Sequence, residues 1–129
     1  MTAKQLLAQY AEGEREFANF ELLEGESLRG ADLDGATFRN AFVTGIDFRG
    51  ASLQKANFLG CNLKSSDMSM TNLTGATFQG SHVDGLILCG AIIRPESLVG
   101  SIIGSFVLTE AESVEFVQIY AQGEGVNDS

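Results

Sequence analysis

The 129-residue sequence contains no tryptophan, one proline, one histidine and two cysteines. Two cysteines are too few for a disulfide scaffold, and they form no cluster with the histidine at metal-ligand spacing. No apolar run approaches the length of a membrane-spanning helix. The first residues lack the apolar stretch and cleavage site of a secretory signal. These absences favour a single cytoplasmic domain, residues 1–129, with free thiols and no metal or cofactor.

A strict five-residue spacing of apolar side chains is the strongest positive signal. Eighteen consecutive fifth positions, from Leu23 to Leu108, are apolar in a chain that is 44% apolar. Chance gives such a run with a probability below roughly one in a million. A period of five fits neither an α-helix nor a flat strand, and it predicts a solenoid.

Each five-residue unit has a recurring pattern around its apolar centre. The position two before the centre is mostly small, and the position directly before it is mostly polar. Two residues after the centre, glycine fills ten of the sixteen positions from Gly30 to Ser105. Because glycine tolerates positive φ, each unit is predicted to be a short extended stretch followed by a sharp corner.

These units resemble the pentapeptide-repeat family, whose loose consensus is Ala-Asp/Asn-Leu/Phe-x-Gly. Residues 31–35, ADLDG, and 56–60, ANFLG, match that consensus well. The resemblance covers about residues 21–108. It implies an all-β solenoid, a right-handed quadrilateral β-helix with one unit per side and twenty residues per coil, here about 4.5 coils. It also implies a protein like the short cyanobacterial members, most of which have no assigned role.

A twenty-residue recurrence agrees with that implication. Phe38, Phe58 and Phe78 are twenty residues apart, and each has an alanine two positions before it. We therefore expect the three rings to stack in one interior column, about 4.8 Å apart.

The two ends are predicted to be closed by short helices, since an open coil exposes unpaired backbone and core. Thr2-x-x-Gln5 and Thr109-x-x-Glu112 are both capping-box patterns. We expect helices over 3–12 and 110–121, with Phe116, Val117 and Tyr120 forming the packing face of the second. The predicted division is an N-terminal cap and start of the solenoid over 1–20, coils over 21–108, a C-terminal cap over 109–122 and a mobile tail over 123–129.

The register before Leu28 stays open, because Leu22 and Leu23 are both suitable centres. If Leu23 is the centre, Glu21 falls in a normally small interior slot, as Glu26 and Glu96 do. A buried carboxylate must be paired or protonated. One of the three could mark a site, but we favour exposure near the coil ends. Glu96 follows Pro95, which also suggests local distortion.

The net charge of −9 is concentrated at the ends of the chain. Residues 1–26 carry two basic and six acidic side chains, residues 27–109 carry six of each, and residues 110–129 carry five acidic and none basic. Some members of the resembled family inhibit DNA gyrase by mimicking the acidic surface of DNA. A DNA mimic needs regular acid along its walls, and these walls are neutral. DNA mimicry is therefore the alternative hypothesis, and nucleic-acid binding is not expected.

Candidate catalytic residues are few. Asp47 and Asp67 should share an outward column, where we favour bonds to turn backbone and to Arg29 and Arg49 over acid–base work. His82 should be a solvated wall residue in a column with Asn62, Phe42 and Ile102. Cys61 should point inward and Cys89 outward, without a disulfide between them. We predict no enzyme activity and no catalytic, cofactor-binding or metal-binding residues.

The outward positions of the last coil are the remaining candidates. Elsewhere they are mostly polar, with Phe42, Leu59 and Met70 as exceptions. In the last coil they become apolar, at Ile87, Ile92, Val99, Ile102 and Val107. We favour their coverage by the C-terminal helix or the terminal turns; the alternative is a surface that binds a partner or a second copy. The predicted function is a non-catalytic protein-interaction or structural module, monomeric, with an unidentified protein partner and no nucleic-acid or membrane contact.

Overall fold

The structure, a computed structural model, describes residues 1–122; the tail predicted to be mobile, 123–129, lies outside the described residues. Its regular elements are α1 (Ala3–Ala11), β1 (Glu16–Ala18), β2 (Thr37–Arg39), a 3-10 helix (Pro95–Leu98), β3 (Ile102–Ile103), β4 (Phe106–Val107) and α2 (Glu110–Tyr120). Both helices start within one residue of their predicted positions. Strands β1 and β2 pair in parallel, whereas β3 and β4 pair antiparallel.

Parallel bridges between residues twenty apart build the rest of the molecule. They run in four columns: Ser27–Asp47–Asp67–Ile87, Asp32–Ser52–Asn72–Ile92, Thr37–Asn57–Thr77 and Phe42–Asn62–His82–Ile102. Few of them extend into regular strands, because each unit turns a corner after two or three extended residues. The fold is a repeat β-solenoid in which each coil hydrogen-bonds to the coils above and below it.

The predicted centres form the core. All fifteen from Leu28 to Leu98 are buried. The Phe58 ring lies 5.1 Å from the Phe38 ring and 4.9 Å from the Phe78 ring, so the predicted column is confirmed. Phe17 extends the column below Phe38, with the centroids 5.8 Å apart.

The centre before Leu28 is Leu22 and not Leu23. Leu22 is buried and Leu23 is exposed. Leu28 follows Leu22 by six positions instead of the usual five, and the extra residue lies in the turn at Gly25, whose φ is 90°. The register built on Leu23 is therefore wrong, and Glu21 lies in an exposed outward position bridged to Phe42.

The other two carboxylates also lie outside the core. Glu26 is half-buried, and its Oε1 accepts a hydrogen bond of 2.8 Å from the backbone N–H of Ala3, in the first turn of α1. A carboxylate there stabilises the helix N-terminus. Glu96 is exposed in the 3-10 helix. The favoured expectation of exposure near the coil ends is met by Glu96, whereas Glu26 is half-buried and hydrogen-bonded.

Helix α1 closes the first coil. Its capping box joins Thr2 and Gln5, as the sequence predicted. Leu6 is fully buried against the core, and the Tyr10 hydroxyl donates a hydrogen bond of 2.8 Å to the carbonyl oxygen of Asp34.

At the other end, a hairpin replaces the continuing coil. The chain reverses between β3 and β4 at Gly104, whose φ is 61° and whose N–H donates to a carboxylate oxygen of Asp84. The expected centre Ile103 is therefore only half-buried, although Leu108 is buried. Two backbone hydrogen bonds join Leu108 to Gly100 and Ser101 and return the chain to the last coil.

Helix α2 then packs on the 3-10 helix. Its buried residues are Ser113 and Val117, followed by Ala121 at its C-cap. The expected packing face was partly wrong: Val117 is buried, but Phe116 is half-buried and Tyr120 is exposed, with their rings 4.5 Å apart. Ser113, Val117 and Ala121 therefore form the buried face at this end of the chain.

Candidate interaction surface

Two isoleucines of the last coil remain exposed at the top of polar columns. Ile87 lies above Asp67 and is 45% exposed, and Ile92 lies above Asn72 and is 61% exposed. The favoured expectation that the C-terminal helix covers them was wrong. Helix α2 packs on the 3-10 helix and leaves both side chains accessible.

Met70 adds apolar surface at the corner between these two columns. It is 70% exposed, although it occupies a corner position with a φ of 60°. Its side chain lies over Gly90, where any added Cβ would overlap the methionine sulfur. The backbone N–H of Gly90 donates to the carbonyl oxygen of Ala121, which anchors the end of α2 at the same corner. Met70, Ile87 and Ile92 are thus exposed apolar residues around one corner of the solenoid.

A groove opens between the 3-10 helix and the first turns of α2. It encloses about 440 Å³ and is lined by Pro95, Glu96, Val99, Glu110 and Val114. Leu98 and Val117, both buried, belong to the same two elements. This distal groove therefore combines three apolar side chains with two carboxylates on packed elements.

Pro95 is well suited to this edge of the solenoid. In lower coils the same position donates its N–H upward, as Lys55 does to the carbonyl oxygen of Thr74. Proline has no N–H to donate, so its position on the last coil leaves no unpaired donor there.

The hairpin exposes two further apolar residues at the same end. Phe106 is 72% exposed and Val107 is also exposed, both on β4. The distal surface is defined here as the exposed apolar residues Ile87, Ile92, Val99, Phe106, Val107 and Val114. Exposed apolar residues at one end of a small domain are candidates for a binding surface.

The wall that carries Asp47 and Asp67 has a different character, because arginines pair with both aspartates. Arg49 makes a bidentate contact with Asp47, at 3.0 Å for both bonds, and lies 3.7 Å from Asp67. Arg29 lies 3.8 Å from Asp47. The side-chain hydrogen bonds from Arg49 are the main cause that lowers the pKa of Asp47 to about 2.

The aspartates also hold the turns. Asp47 Oδ1 accepts from the N–H of Arg49 at 3.0 Å, and Asp67 Oδ1 accepts from the N–H of Ser69 at 2.9 Å. These contacts match the prediction that the carboxylates bind backbone turns and arginines. Their arrangement stabilises the wall and does not resemble a general acid facing a base.

His82 lies in the column with Asn62 and Phe42, as predicted. Together with Asn40 and Gly60 these residues line a shallow depression of about 300 Å³. Within residues 1–122, no group of three or more His, Cys, Asp or Glu side chains is placed to hold a metal ion. No helix of that part of the chain has the length and apolar character needed to cross a membrane.

Both cysteines are free thiols in the positions expected. Cys61 is buried and Cys89 is exposed. Burial raises the pKa of Cys61 to about 11, so this thiol is a poor nucleophile.

The distal groove was not predicted from the sequence. Two signals pointed to it separately: the irregular Pro95-Glu96 pair, and the capping box that starts α2 at Thr109. Nothing in the five-residue pattern indicated that helix α2 would fold beside Pro95 and Glu96.

Comparisons with known proteins support the fold. The family model for pentapeptide repeats matches in eight copies over residues 22–50 and 44–80. The structure is similar to that of Rfr23, a pentapeptide repeat protein from the cyanobacterium Cyanothece 51142, with 17% identity over 78% of this chain and 95% of that chain and a TM-score of 0.50.

Two proteins of Nostoc PCC 7120 match less well. The pentapeptide repeat protein alr5209 has 24% identity over 70% of this chain and 78% of its own, with a TM-score of 0.43. HetL, involved in heterocyst differentiation regulation, has 25% identity over 78% of this chain and 46% of its own, with a TM-score of 0.33. No curated protein matches the sequence.

Proposed function

The chain belongs to the pentapeptide-repeat family, and on that premise we propose that it is a non-catalytic protein-interaction module. Its solenoid would act as a rigid platform that presents the distal surface to a protein partner. Within the family, fold alone does not define a role, so the proposal rests on this chain's own surface.

The observation that carries the proposal is the change from polar to apolar along two wall columns. Ser27, Asp47 and Asp67 lie below Ile87, and Asp32, Ser52 and Asn72 lie below Ile92. Keeping two isoleucines exposed is unfavourable in water, whereas burying them in an interface recovers about 25 cal/mol for each Å² covered. An apolar centre with a polar surround is the usual anatomy of a protein interface.

A non-catalytic role fits the chemistry of the walls. The closest pair of stacked carboxylates, Asp47 and Asp67, is engaged with arginines and turn backbone. The buried thiol of Cys61 is shielded from reagents. These contacts leave the described walls without an activated nucleophile.

We propose further that the solenoid is right-handed and four-sided. The four bridge columns with a twenty-residue step support four sides. Crossovers between parallel strands are right-handed in nearly all known proteins, which supports the hand. A crystal structure would test both features.

We also propose a monomer that resides in the cytoplasm and contacts neither nucleic acid nor membrane. Helices α1 and α2 lie on the two coil ends, where stacking of copies would otherwise occur. An exposed thiol at Cys89 suits a reducing compartment. Size-exclusion chromatography would test the monomer, and cell fractionation would test the cytoplasmic location.

The proposed function is tested by capture from the native lysate. Tagged wild-type protein and the tag alone are incubated with the lysate, and bound proteins are quantified by mass spectrometry. We expect at least one protein to be retained in near-stoichiometric amount by the tagged chain only. Equal recovery of the same proteins with the tagged chain and with the tag alone would contradict an interaction module.

A further inference from the structure

We propose that the distal groove binds a partner segment in which a lysine or arginine side chain lies next to an aliphatic or aromatic one. The inference rests on the proposed function and specifies its partner. It is carried by the combination of an apolar groove with unpaired carboxylates on its rim.

The carboxylates of the groove are free to receive a cation. Glu96 and Glu110 line the groove and are exposed. Neither makes an ion pair or a side-chain hydrogen bond among residues 1–122, whereas Glu112 is engaged in the capping box of α2. A cation between them would gain two charge-assisted contacts without breaking any existing one.

The surrounding sequence makes this end of the solenoid electronegative. From residue 95 to residue 122 there are four glutamates and no lysine, arginine or histidine. The nearest basic residue in sequence is Arg94, which precedes Pro95 and makes no ion pair among the described residues. The field over the groove therefore attracts basic segments and raises their association rate at low salt.

The floor of the groove supplies the apolar contact. Pro95, Val99 and Val114 line it, and both valines are 40% exposed. Its volume of about 440 Å³ suits one or two side chains of an extended segment and not the face of a folded domain. A long basic side chain can also pack its methylene groups on such a floor while its head reaches a carboxylate.

The negative charge of the groove favours a basic segment over two alternative occupants, a second copy and a lipid surface. A second copy would bring the same four glutamates to a two-fold interface, and like charges across an interface are unfavourable. An anionic lipid surface would be repelled for the same reason. A basic segment with an apolar neighbour is complementary to both features of the groove.

The test uses the full-length protein and a random library of short peptides displayed on phage. We expect selected peptides to be enriched in lysine or arginine next to leucine, isoleucine or phenylalanine. The Glu96→Gln/Glu110→Gln variant should bind the corresponding synthetic peptides at least about tenfold more weakly at low salt, because two charge-assisted contacts are lost. Circular dichroism checks that this double variant and the wild type share one fold.

Matched controls lie on the same helix outside the groove. Glu115→Gln makes the same chemical change on another exposed α2 glutamate, and it should alter affinity less than about threefold, since only the long-range field changes. Val99→Ser/Val114→Ser should also weaken binding, whereas Ile119→Ser should not.

Several outcomes would overturn the proposal: recovery of no peptide, selection of peptides without basic residues, or equal weakening by Glu115→Gln and the groove variant. A dimer of the wild type that Val99→Ser/Val114→Ser abolishes would assign the groove to a second copy instead. Lysate capture that survives Glu96→Gln/Glu110→Gln would refute the groove while leaving the interaction module intact. Absence of any captured protein would reject the module itself.

Discussion

The ring of Phe58 lies 4.9 Å from the ring of Phe78 one coil above, with an angle of 4° between their planes. Phe38 lies 5.1 Å from Phe58 on the opposite side. The three rings thus stack through consecutive coils, and the Phe58 ring in the middle is fully buried.

Phe58→Ala should therefore lower the free energy of unfolding by about 3–5 kcal/mol, because stacked coils cannot collapse into the void. Phe42→Ala makes the same change at an exposed wall position and should cost far less. Urea denaturation of both variants provides the measurement. Equal midpoints for Phe58→Ala and wild type would rule out the stacked column.

The Asp47–Arg49 pair gives a pH dependence. The pKa of Asp47 is about 2 in the folded protein and 3.8 without its partners, so the carboxylate stabilises the fold above about pH 4. This stabilisation is lost as the pH falls from about 4 to 2. Solvent screens the half-exposed Arg49, so we expect about 1 kcal/mol at neutral pH.

Asp47→Asn should consequently be less stable than wild type by about 1 kcal/mol at pH 7, and the difference should vanish near pH 2. Asp32→Asn is the control, because Asp32 accepts the same kind of turn hydrogen bond, from the N–H of Asp34, and no arginine pairs with it among residues 1–122. A difference for Asp47→Asn that stays constant between pH 7 and pH 2 would refute the ion pair as its source.

Removing residues 110–129 should leave the solenoid folded but prone to association. The truncation exposes Leu98 and deprives the Gly90 N–H of its acceptor at Ala121. Open coil ends can then dock on each other. We expect dimers or larger species in size-exclusion chromatography with the β-type circular dichroism retained.

The control for that experiment removes only residues 123–129 and keeps α2. It should elute like wild type at the same concentration. If the longer truncation also elutes as a monomer, α2 is not a cap, and the helix would be free to act as a binding element itself.

DNA mimicry is tested independently with gyrase. Residues 27–109 carry six basic and six acidic side chains, and Asp47 and Asp67 are paired with Arg29 and Arg49, so the described walls do not present the regular acidic array that mimicry needs. We expect supercoiling to be unaffected at micromolar protein. Stoichiometric inhibition would favour the mimic over the interaction module.

The sequence predicted most of the solenoid because its pattern is repeated many times. The phenylalanine column, the aspartate–arginine wall and both capping boxes follow from spacing and residue type. Leu22 and Leu23 could not be separated in this way, since both are leucines and the extra residue lies in a turn.

The candidate surface was harder to predict, since it depends on how elements outside the repeat pack. Ile87 and Ile92 stay exposed because α2 packs on the 3-10 helix and not over them. The distal groove arises from the same packing. The five-residue periodicity indicates neither where α2 packs nor that a groove forms beside it.

The central claim is that the distal surface binds the partner. The most direct measurement is partner recovery from lysate by Ile87→Ser/Ile92→Ser/Val99→Ser/Val114→Ser, compared with wild type and with the wall control Phe42→Ser/Leu59→Ser. All six side chains are exposed, so both variants should fold. We predict that the distal variant loses most of the partner and the wall variant retains it. Undiminished recovery by the distal variant, or loss by the wall variant alone, would contradict the account.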